Sequence, residues 1–241
     1  FTCDLSMCME PYCQTIMFAD DTVLLTKDKN AEALEIATYI AVNMAHDYCI
    51  ANDLVFNERK TTQMILGKLK NNISGTPNIA DVNQTKHLGV ILDDRLSWDA
   101  HIDSLCLKLN TSLYVLKRTK AVSTQLTIKI AYHSLFESHI RYGVILWGGS
   151  SAKNLQRILL NQKRAIRIMA GLQWHDSCRQ AFKTLKILTV VAIYIIEVIV
   201  HAMKQGLPRN GDLHGLQTRH ARDFSLPVHK TTLFSKKPSY T

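Results

Sequence analysis

Two adjacent carboxylates, Asp20 and Asp21, are the side chains whose type and spacing point most directly to chemistry in this sequence. They stand between two short apolar, β-prone runs in residues 15–25, which predicts a strand, a tight turn carrying the acids and a second strand. Carboxylates beside apolar strands are costly unless water or a cation neutralises them. Hard oxygen ligands suit Mg²⁺, which binds one or two protein carboxylates together with water and phosphate oxygens. The alternative is an ordinary solvated turn, in which Asp is also a favoured residue.

An amphipathic helix is predicted after this turn, because apolar residues recur at intervals of three and four over residues 30–49. Asn30 is a suitable N-cap, and Glu32 places an acid in the first turn. Short strands are predicted around the polar segment that follows, at residues 54–57, 62–66 and 87–92.

Helical periodicity replaces the strand signals in the remainder of the chain. Small polar or glycine-bearing breaks, such as Gly148-Gly149-Ser150-Ser151, separate the helical segments. We therefore expect a mixed α/β part followed by a helical part, with helices at residues 99–119, 124–140, 153–170 and 177–203.

The distribution of charged residues also differs between these two parts of the chain. Residues 1–100 carry 8 basic and 14 acidic side chains, whereas residues 101–241 carry 21 basic and 6 acidic ones. With 46% hydrophobic and 20% charged residues, the composition is that of a globular protein and excludes a disordered chain. The basic half favours a polyanionic partner, nucleic acid first and an anionic membrane surface second, although simple solubility gives the same pattern.

The six cysteines form no CxxC pair, which excludes a zinc ribbon and a dense disulfide framework. We expect reduced, mostly buried thiols in an intracellular protein, with nucleus and cytoplasm equally open. The apolar stretch at residues 187–203 contains Glu197 and is shorter than the ~20 residues of a membrane span. A buried helix, and no membrane partner, is therefore expected there.

Four sequence blocks stand in order along the chain: FADDT at 18–22, NDLVFNERKT at 52–61, HLGVILD at 87–93 continued by LSWDAHI at 96–102, and YHSLFESHIRYGVILWG at 132–148. The first resembles the F/Y-x-D-D hairpin of reverse transcriptases. In this order, the four blocks and the basic helix from residue 155 resemble the reverse transcriptases of non-LTR (LINE, jockey-like) retrotransposons.

The resemblance implies an α+β fold: an incomplete reverse-transcriptase palm, made of a β-hairpin, a helix and short strands, followed by a mostly α-helical thumb-like domain. We expect the partial palm at residues 1–95, the helical thumb and connection region at 96–205, and a basic, loosely ordered tail at 206–241. It also implies RNA-directed DNA polymerisation, with an RNA template, a DNA primer and deoxynucleotide triphosphates as partners.

The resemblance assigns roles to individual residues in the first part of the chain. Asp20 and Asp21 are the acids expected to hold Mg²⁺, or Mn²⁺, in a two-metal mechanism that activates the primer hydroxyl. Phe18 is expected beside the primer terminus, and Lys60 near the incoming triphosphate. Leu88 and Gly89 are expected in the strand pair that grips the primer. For Lys60 the alternative is a solvated turn, and for Leu88-Gly89 simply a strand.

The helix from residue 155 gives an argument that does not depend on the resemblance. Its apolar residues form one stripe, and cations lie largely off that stripe, so the helix can pack inward and bind phosphates outward. The cations concerned are Arg157, Lys163, Arg164 and Arg167. A partner helix or a solvated face is the alternative. The three tryptophans, Trp98, Trp147 and Trp174, are expected in the core rather than stacked on bases.

The sequence also departs from a complete enzyme of this kind. The earlier palm aspartate that the family requires has no counterpart before the hairpin. We therefore expect a fragment with little or no polymerase activity of its own. The alternative function is a non-catalytic, nucleic-acid-binding remnant that uses the basic helical half.

Overall fold

A computed structural model describes residues 4–67, 70–206 and 208–225. The chain divides between Leu96 and Ser97 into two compact units, each of which is described by itself. The N-terminal unit (residues 1–96) combines helices with small two-stranded sheets, and the helical unit (residues 97–241) is built almost entirely of helices. The predicted mixture of α and β structure is therefore confirmed, whereas the palm and thumb domain boundaries stay predictions.

The N-terminal unit is organised around a hairpin and one long helix. Its helices and strands are α1 (Leu5–Met9), β1 (Gln14–Phe18), β2 (Asp21–Leu25), α2 (Ala31–Ala51), β3 (Thr62–Gln63), a 3₁₀ turn (Lys70–Asn72), β4 (Ala80–Asp81), β5 (Gln84–His87) and β6 (Val90–Asp93). β1 pairs with β2 and β5 with β6, both antiparallel, while β3 and β4 form a short parallel pair.

A small core holds α2 against α1 and the hairpin. Its buried members are Leu5, Met9, Ala41 and Ala45, against which the half-buried Met17, Leu24, Met44 and Tyr48 pack. The predicted helix cap is confirmed, because the Asn30 side-chain oxygen accepts a hydrogen bond of 3.2 Å from the Glu32 backbone N–H.

All three of the strands predicted after α2 differ from the structure. Residues 54–57 form no strand, and Val55 is 94% exposed, because no described strand lies alongside to pair with them. The strand predicted at residues 62–66 shortens to Thr62–Gln63. The strand predicted at residues 87–92 is interrupted by a turn at Leu88-Gly89, which makes the segment a hairpin.

The helical unit contains the larger core of the protein. Its elements are α3 (Asp99–Val122), α4 (Gln125–Ala131), a π-helical turn (Tyr132–Glu137), α5 (Ser138–Arg141), α6 (Val144–Trp147), α7 (Ala152–Ala170), α8 (Arg179–Leu185), α9 (Val190–Lys204) and α10 (Asn210–His214). The predicted helices are confirmed in outline. The segment predicted at 177–203 is two helices, because Lys186 adopts a left-handed conformation and ends α8.

The core of this unit is formed by the inner faces of α3, α7 and α9 and by the aromatic residues between them. Trp147, Tyr132 and Phe136 are fully buried, and the Tyr132 and Phe136 rings stack with their centroids 5.3 Å apart. A Cβ at Gly148 would lie 2.3 Å from the Tyr194 ring, so only glycine permits this close approach of α6 to α9.

A fully buried amide, that of Gln162 on α7, links three elements. Its Nε2 donates to the Tyr132 hydroxyl at 2.9 Å and to the Leu188 carbonyl at 2.8 Å. Its Oε1 accepts from the Val190 N–H at 2.9 Å, which satisfies a backbone donor in the first turn of α9. Burial raises the pKa of the Tyr132 phenol above its usual value, and the hydrogen bond from Gln162 opposes this effect only in part.

A second polar group inside the helical unit is Glu137, at the end of the π-helical turn. Arg141 Nε donates to one carboxylate oxygen at 2.6 Å, and His133 Nδ1 lies 2.9 Å from the other. Arg141 also reaches Glu197 on α9 at 3.2 Å. A buried carboxylate requires such partners, so this network fixes α5 against α9.

The apolar stretch at residues 187–203 lies mainly in α9. Ile187, Val190 and Ile193 are buried, whereas Ile195, Ile199 and Met203 are exposed, so the predicted buried helix is buried on one side only. Among the described residues no single helix combines the length and apolar character of a membrane span. Taken together, α8 and α9 reach that composition, but they are bent by 50° at the intervening residues.

The predicted tail begins at residue 206, and its last part, from residue 226 onward, lies outside the described residues. Before that point α10 forms, and a single β-bridge joins Arg209 to Phe224.

His101, in the first turn of α3, makes the stability of the helical unit dependent on pH. It is buried between Trp98 and Trp147, and desolvation, followed by the positive charge of Lys108, lowers its pKa below the ordinary 6.5. The unfolded chain therefore takes up a proton that the folded chain resists, and stability present above pH ~6.5 is lost as the pH falls. In urea titrations, wild type should have a higher free energy of unfolding than His101→Gln, and this difference should become smaller from pH ~7.5 to ~5.5. A difference that stays constant over this range would contradict the assignment to His101.

Candidate functional site

The β1–β2 hairpin presents the two carboxylates on a tight turn. Phe18 pairs with Asp21, so Ala19 and Asp20 form a two-residue loop and Asp21 begins β2. The predicted strand, turn and strand are confirmed. Ala19 has φ 53°, a positive value at the first loop position that the type II′ hairpin turn requires and that glycine normally supplies.

The two faces of this hairpin differ. Met17 and Leu24 point toward the core under α2, which fixes the hairpin in place. Phe18 and Asp21 are directly opposite each other and so project from the other face, where the Phe18 ring is 62% exposed. An exposed aromatic ring therefore stands beside a carboxylate at the end of the hairpin.

Asp20 and Asp21 are both exposed, and neither carboxylate makes a hydrogen bond or ion pair with the residues that the structure describes. Two unengaged oxygen ligands fit Mg²⁺ in kind. They do not make a complete protein site, because no three His, Cys, Asp or Glu side chains among residues 4–67, 70–206 and 208–225 come together to hold a metal. Any metal bound here would depend on water and substrate oxygens for its other ligands.

Lys60 lies in a one-turn loop built by the residues on either side of it. The Asn57 side-chain oxygen accepts from the Lys60 N–H at 3.2 Å, and its backbone carbonyl accepts from the Thr61 N–H and hydroxyl at 3.0 and 2.9 Å. Asn57 and Thr61 therefore have a structural role. The Lys60 ammonium is exposed and has no acidic partner among the described residues.

Leu88 and Gly89 form the two-residue turn of the β5–β6 hairpin. Both have positive φ, 45° and 81°, as a type I′ turn requires. The structure therefore places them at the tip of a hairpin rather than within a strand. The pair still presents backbone at an accessible position, so a role in primer contact stays a prediction.

The four cations predicted on α7 do not share one environment. Arg157 pairs with Asp103 of α3, and Arg167 donates from Nη2 to the Asp176 carbonyl at 3.1 Å, which anchors the loop before α8. Lys163 is half-buried. Arg164 is exposed and donates to Asn161 at 3.3 Å. Two of the four are thus engaged in holding the fold together.

The tryptophans separate into two groups. Trp147 is fully buried and Trp98 packs against the same core, as expected. Trp174 is 84% exposed, so the expectation of core packing is wrong for this residue. It lies in a surface loop that the hydrogen bond from Arg167 to the Asp176 carbonyl connects to α7.

The expectation of mostly buried cysteines also fails, since only Cys178 of the described thiols is buried.

Three exposed cations that were not among the predicted site residues stand on α3: Lys108, Lys117 and Arg118. None of the three has an ion-pair partner among the described residues. The sequence signal for them is the absence of any Asp or Glu from residue 104 to residue 136.

Comparison with known proteins finds relatives that are similar in sequence to this chain. The chain is 28% identical over 114 residues, 45% of its length, to the probable RNA-directed DNA polymerase from transposon X-element of Drosophila melanogaster. It is 22% identical over 177 residues, 70% of its length, to the RNA-directed DNA polymerase from mobile element jockey of the same species. The chain spans 12% and 19% of the length of these relatives. No family model matches, and no solved structure matches.

Both relatives are named as RNA-directed DNA polymerases of mobile elements, the first as a probable one. The resemblance to the reverse transcriptases of non-LTR retrotransposons is therefore confirmed.

Ala19 gives a direct test of the turn that presents Asp20. Because an L-residue at positive φ is strained by ~1 kcal/mol or more, Ala19→Gly should raise the free energy of unfolding of the N-terminal unit by about that amount. Chemical denaturation monitored by circular dichroism measures the change. Ala33→Gly, within α2 where φ is negative, is the matched control and should destabilise instead. Destabilisation by both substitutions would contradict the turn geometry.

Proposed function

We propose that this chain is part of an RNA-directed DNA polymerase of the non-LTR retrotransposon type. In this proposal the N-terminal unit is a portion of the palm, and the helical unit is the thumb and the region after it. The observation that carries the proposal is the exposed FADD hairpin, with two unengaged carboxylates, in a chain similar to two such polymerases.

The proposed chemistry is nucleotidyl transfer from a deoxynucleotide triphosphate to a primer end paired to RNA. A divalent metal, when bound, would activate the primer hydroxyl and stabilise the departing pyrophosphate. Asp20 and Asp21 would hold it through their exposed oxygens. Phe18 offers an apolar surface beside Asp21 for the primer terminus. The exposed Lys60 ammonium, which has no acidic partner within the described part of the chain, can neutralise triphosphate charge.

Activity of the chain by itself is expected to be low. Two carboxylates without a third protein acid leave most of the metal coordination to water and substrate, and the described residues contribute no further cluster. Weak metal binding at the hairpin, rather than turnover, is therefore the property that the purified chain should show.

Metal binding at the hairpin can be measured with Mn²⁺, whose free form is detected by electron paramagnetic resonance. Wild-type chain should bind Mn²⁺ weakly and saturably, and Asp20→Asn/Asp21→Asn should abolish that binding. Asp47→Asn/Asp53→Asn removes the same charge from exposed positions at the end of α2 and should bind as wild type does. Equal Mn²⁺ binding by the hairpin variant and wild type would refute the metal assignment.

A second candidate function is non-catalytic binding of nucleic acid by the helical unit. The observation that favours it is the charge division, with 21 basic and 6 acidic residues after position 100. Phosphate contacts by Lys and Arg give affinity that falls steeply with salt.

Retention on immobilised RNA tests this second candidate. We expect wild-type chain to bind at low salt and to be released as salt rises, and Asp20→Ala/Asp21→Ala to bind at least as tightly, because the change removes negative charge. Failure of both proteins to bind at low salt would exclude it. Binding that requires the two aspartates would instead favour the hairpin as the contact surface.

A further inference from the structure

The later turns of α3, the longest helix among the described residues, carry only positive charge. No Asp or Glu occurs between Asp103 and Glu137, a stretch that contains five basic residues and most of α3. The basic residues are Lys108, Lys117, Arg118, Lys120 and Lys129.

The packing of α3 decides which of its residues face outward. Ile102, Leu105, Leu109, Ser112 and Leu116 are buried against the core and define the inner side. The outer side, termed the α3 outer face, is formed by exposed residues of the middle and later turns: Leu107, Lys108, Thr111, Tyr114, Lys117 and Arg118. A helix of this length extends ~36 Å, enough to run beside several nucleotides.

The cations of this face are available for a ligand. Lys108, Lys117 and Arg118 are exposed and have no acidic partner in the part of the chain that the structure describes. The α7 cations differ, since Arg157 is neutralised by Asp103 and Arg167 is bound to a loop carbonyl. Lys108, Lys117 and Arg118 are therefore open to a polyanion, whereas two of the four predicted α7 cations already contact other parts of the helical unit.

An aromatic ring lies among these cations. Tyr114 is 66% exposed, three residues before Lys117 and four before Arg118, so both cations are its neighbours on the helix surface. An exposed ring flanked by cations is the combination that single-strand-binding proteins use, with bases stacked on the ring and phosphates on the cations.

We propose that the α3 outer face binds single-stranded nucleic acid, with an unpaired base on Tyr114 and its flanking phosphates on Lys117 and Arg118. This inference rests on the nucleic-acid function proposed above and assigns it a surface. A single strand is favoured over a duplex because duplex bases are stacked on one another and present no free face to Tyr114. An anionic membrane is disfavoured because Arg118 lies along the same line of the helix as Leu107 and Tyr114, where a membrane-bound helix is apolar.

Fluorescence anisotropy with a labelled single-stranded RNA, and with the blunt duplex of the same sequence, tests the proposal on the full chain. Tyr114→Ala should weaken single-strand binding about tenfold and leave duplex binding unchanged, while Tyr114→Phe, which keeps the ring, should bind as wild type does. Lys117→Ala/Arg118→Ala should reduce the slope of log affinity against log salt by about 0.7 for each cation removed.

The matched control is Lys153→Ala/Lys204→Ala, which removes the same charge from exposed positions on α7 and α9. It should change the slope less than the α3 variant does. All substituted side chains are exposed, so circular dichroism should show unchanged folding.

Three results would overturn the assignment of this surface: equal losses in the control and α3 variants, unchanged single-strand affinity in Tyr114→Ala, or binding to phosphatidylserine vesicles without binding to RNA. The first two leave nucleic-acid binding by the helical unit intact and reject only the α3 outer face. Absence of all RNA binding would reject the second candidate function as well, whereas the hairpin metal site is tested separately by Mn²⁺.

Discussion

The packing of the helical unit depends on the buried side-chain amide of Gln162. It joins α7 to the π-helical turn through Tyr132 and to the start of α9 through Leu188 and Val190. Each polar atom of this amide is hydrogen-bonded inside a core from which water is excluded, so loss of one partner would leave buried polar groups unsatisfied. The positions of the surrounding helices are therefore set jointly rather than pair by pair.

This fixed arrangement allows α3 to expose one side over its full length. Its inner side is held by apolar packing and by the Asn154 side chain of α7, which donates to Asp99 at 2.7 Å. The first turns of α3 carry its two acids, and both are occupied by contacts to α7. The remaining turns are left with uncompensated cations. Exposed carboxylates therefore lie on the hairpin of one unit and exposed cations on the longest described helix of the other.

Much of this architecture could be predicted from sequence, because the residues concerned act locally. The Asn30 cap of α2 and the hairpin turn that carries Asp20 are both formed by residues close to each other in the sequence. The failures arise where tertiary structure decides. Residues 54–57 have strand propensity but no strand beside them, and Leu88-Gly89 reverses the chain within an apolar run.

The candidate site shows the same distinction between local and tertiary effects. Residue type was sufficient to predict the exposure of Asp20 and Asp21, since exposure follows from the turn that they occupy, while their role as metal ligands stays a prediction. It did not reveal that Asp103 neutralises Arg157, nor that Trp174 lies at the surface while Trp147 lies in the core. Periodicity gives the apolar stripe of α7, but only packing shows which cations are already engaged.

The charge division favours the helical unit over the acidic N-terminal unit as the source of most contacts with a single-stranded nucleic acid. Ultraviolet crosslinking of uridine-containing single-stranded RNA to the wild-type chain, followed by mass spectrometry of the digested peptides, tests this assignment most directly. Adducts should be concentrated on peptides of α3, with Tyr114 the principal site. Adducts confined to residues 1–96 would contradict it.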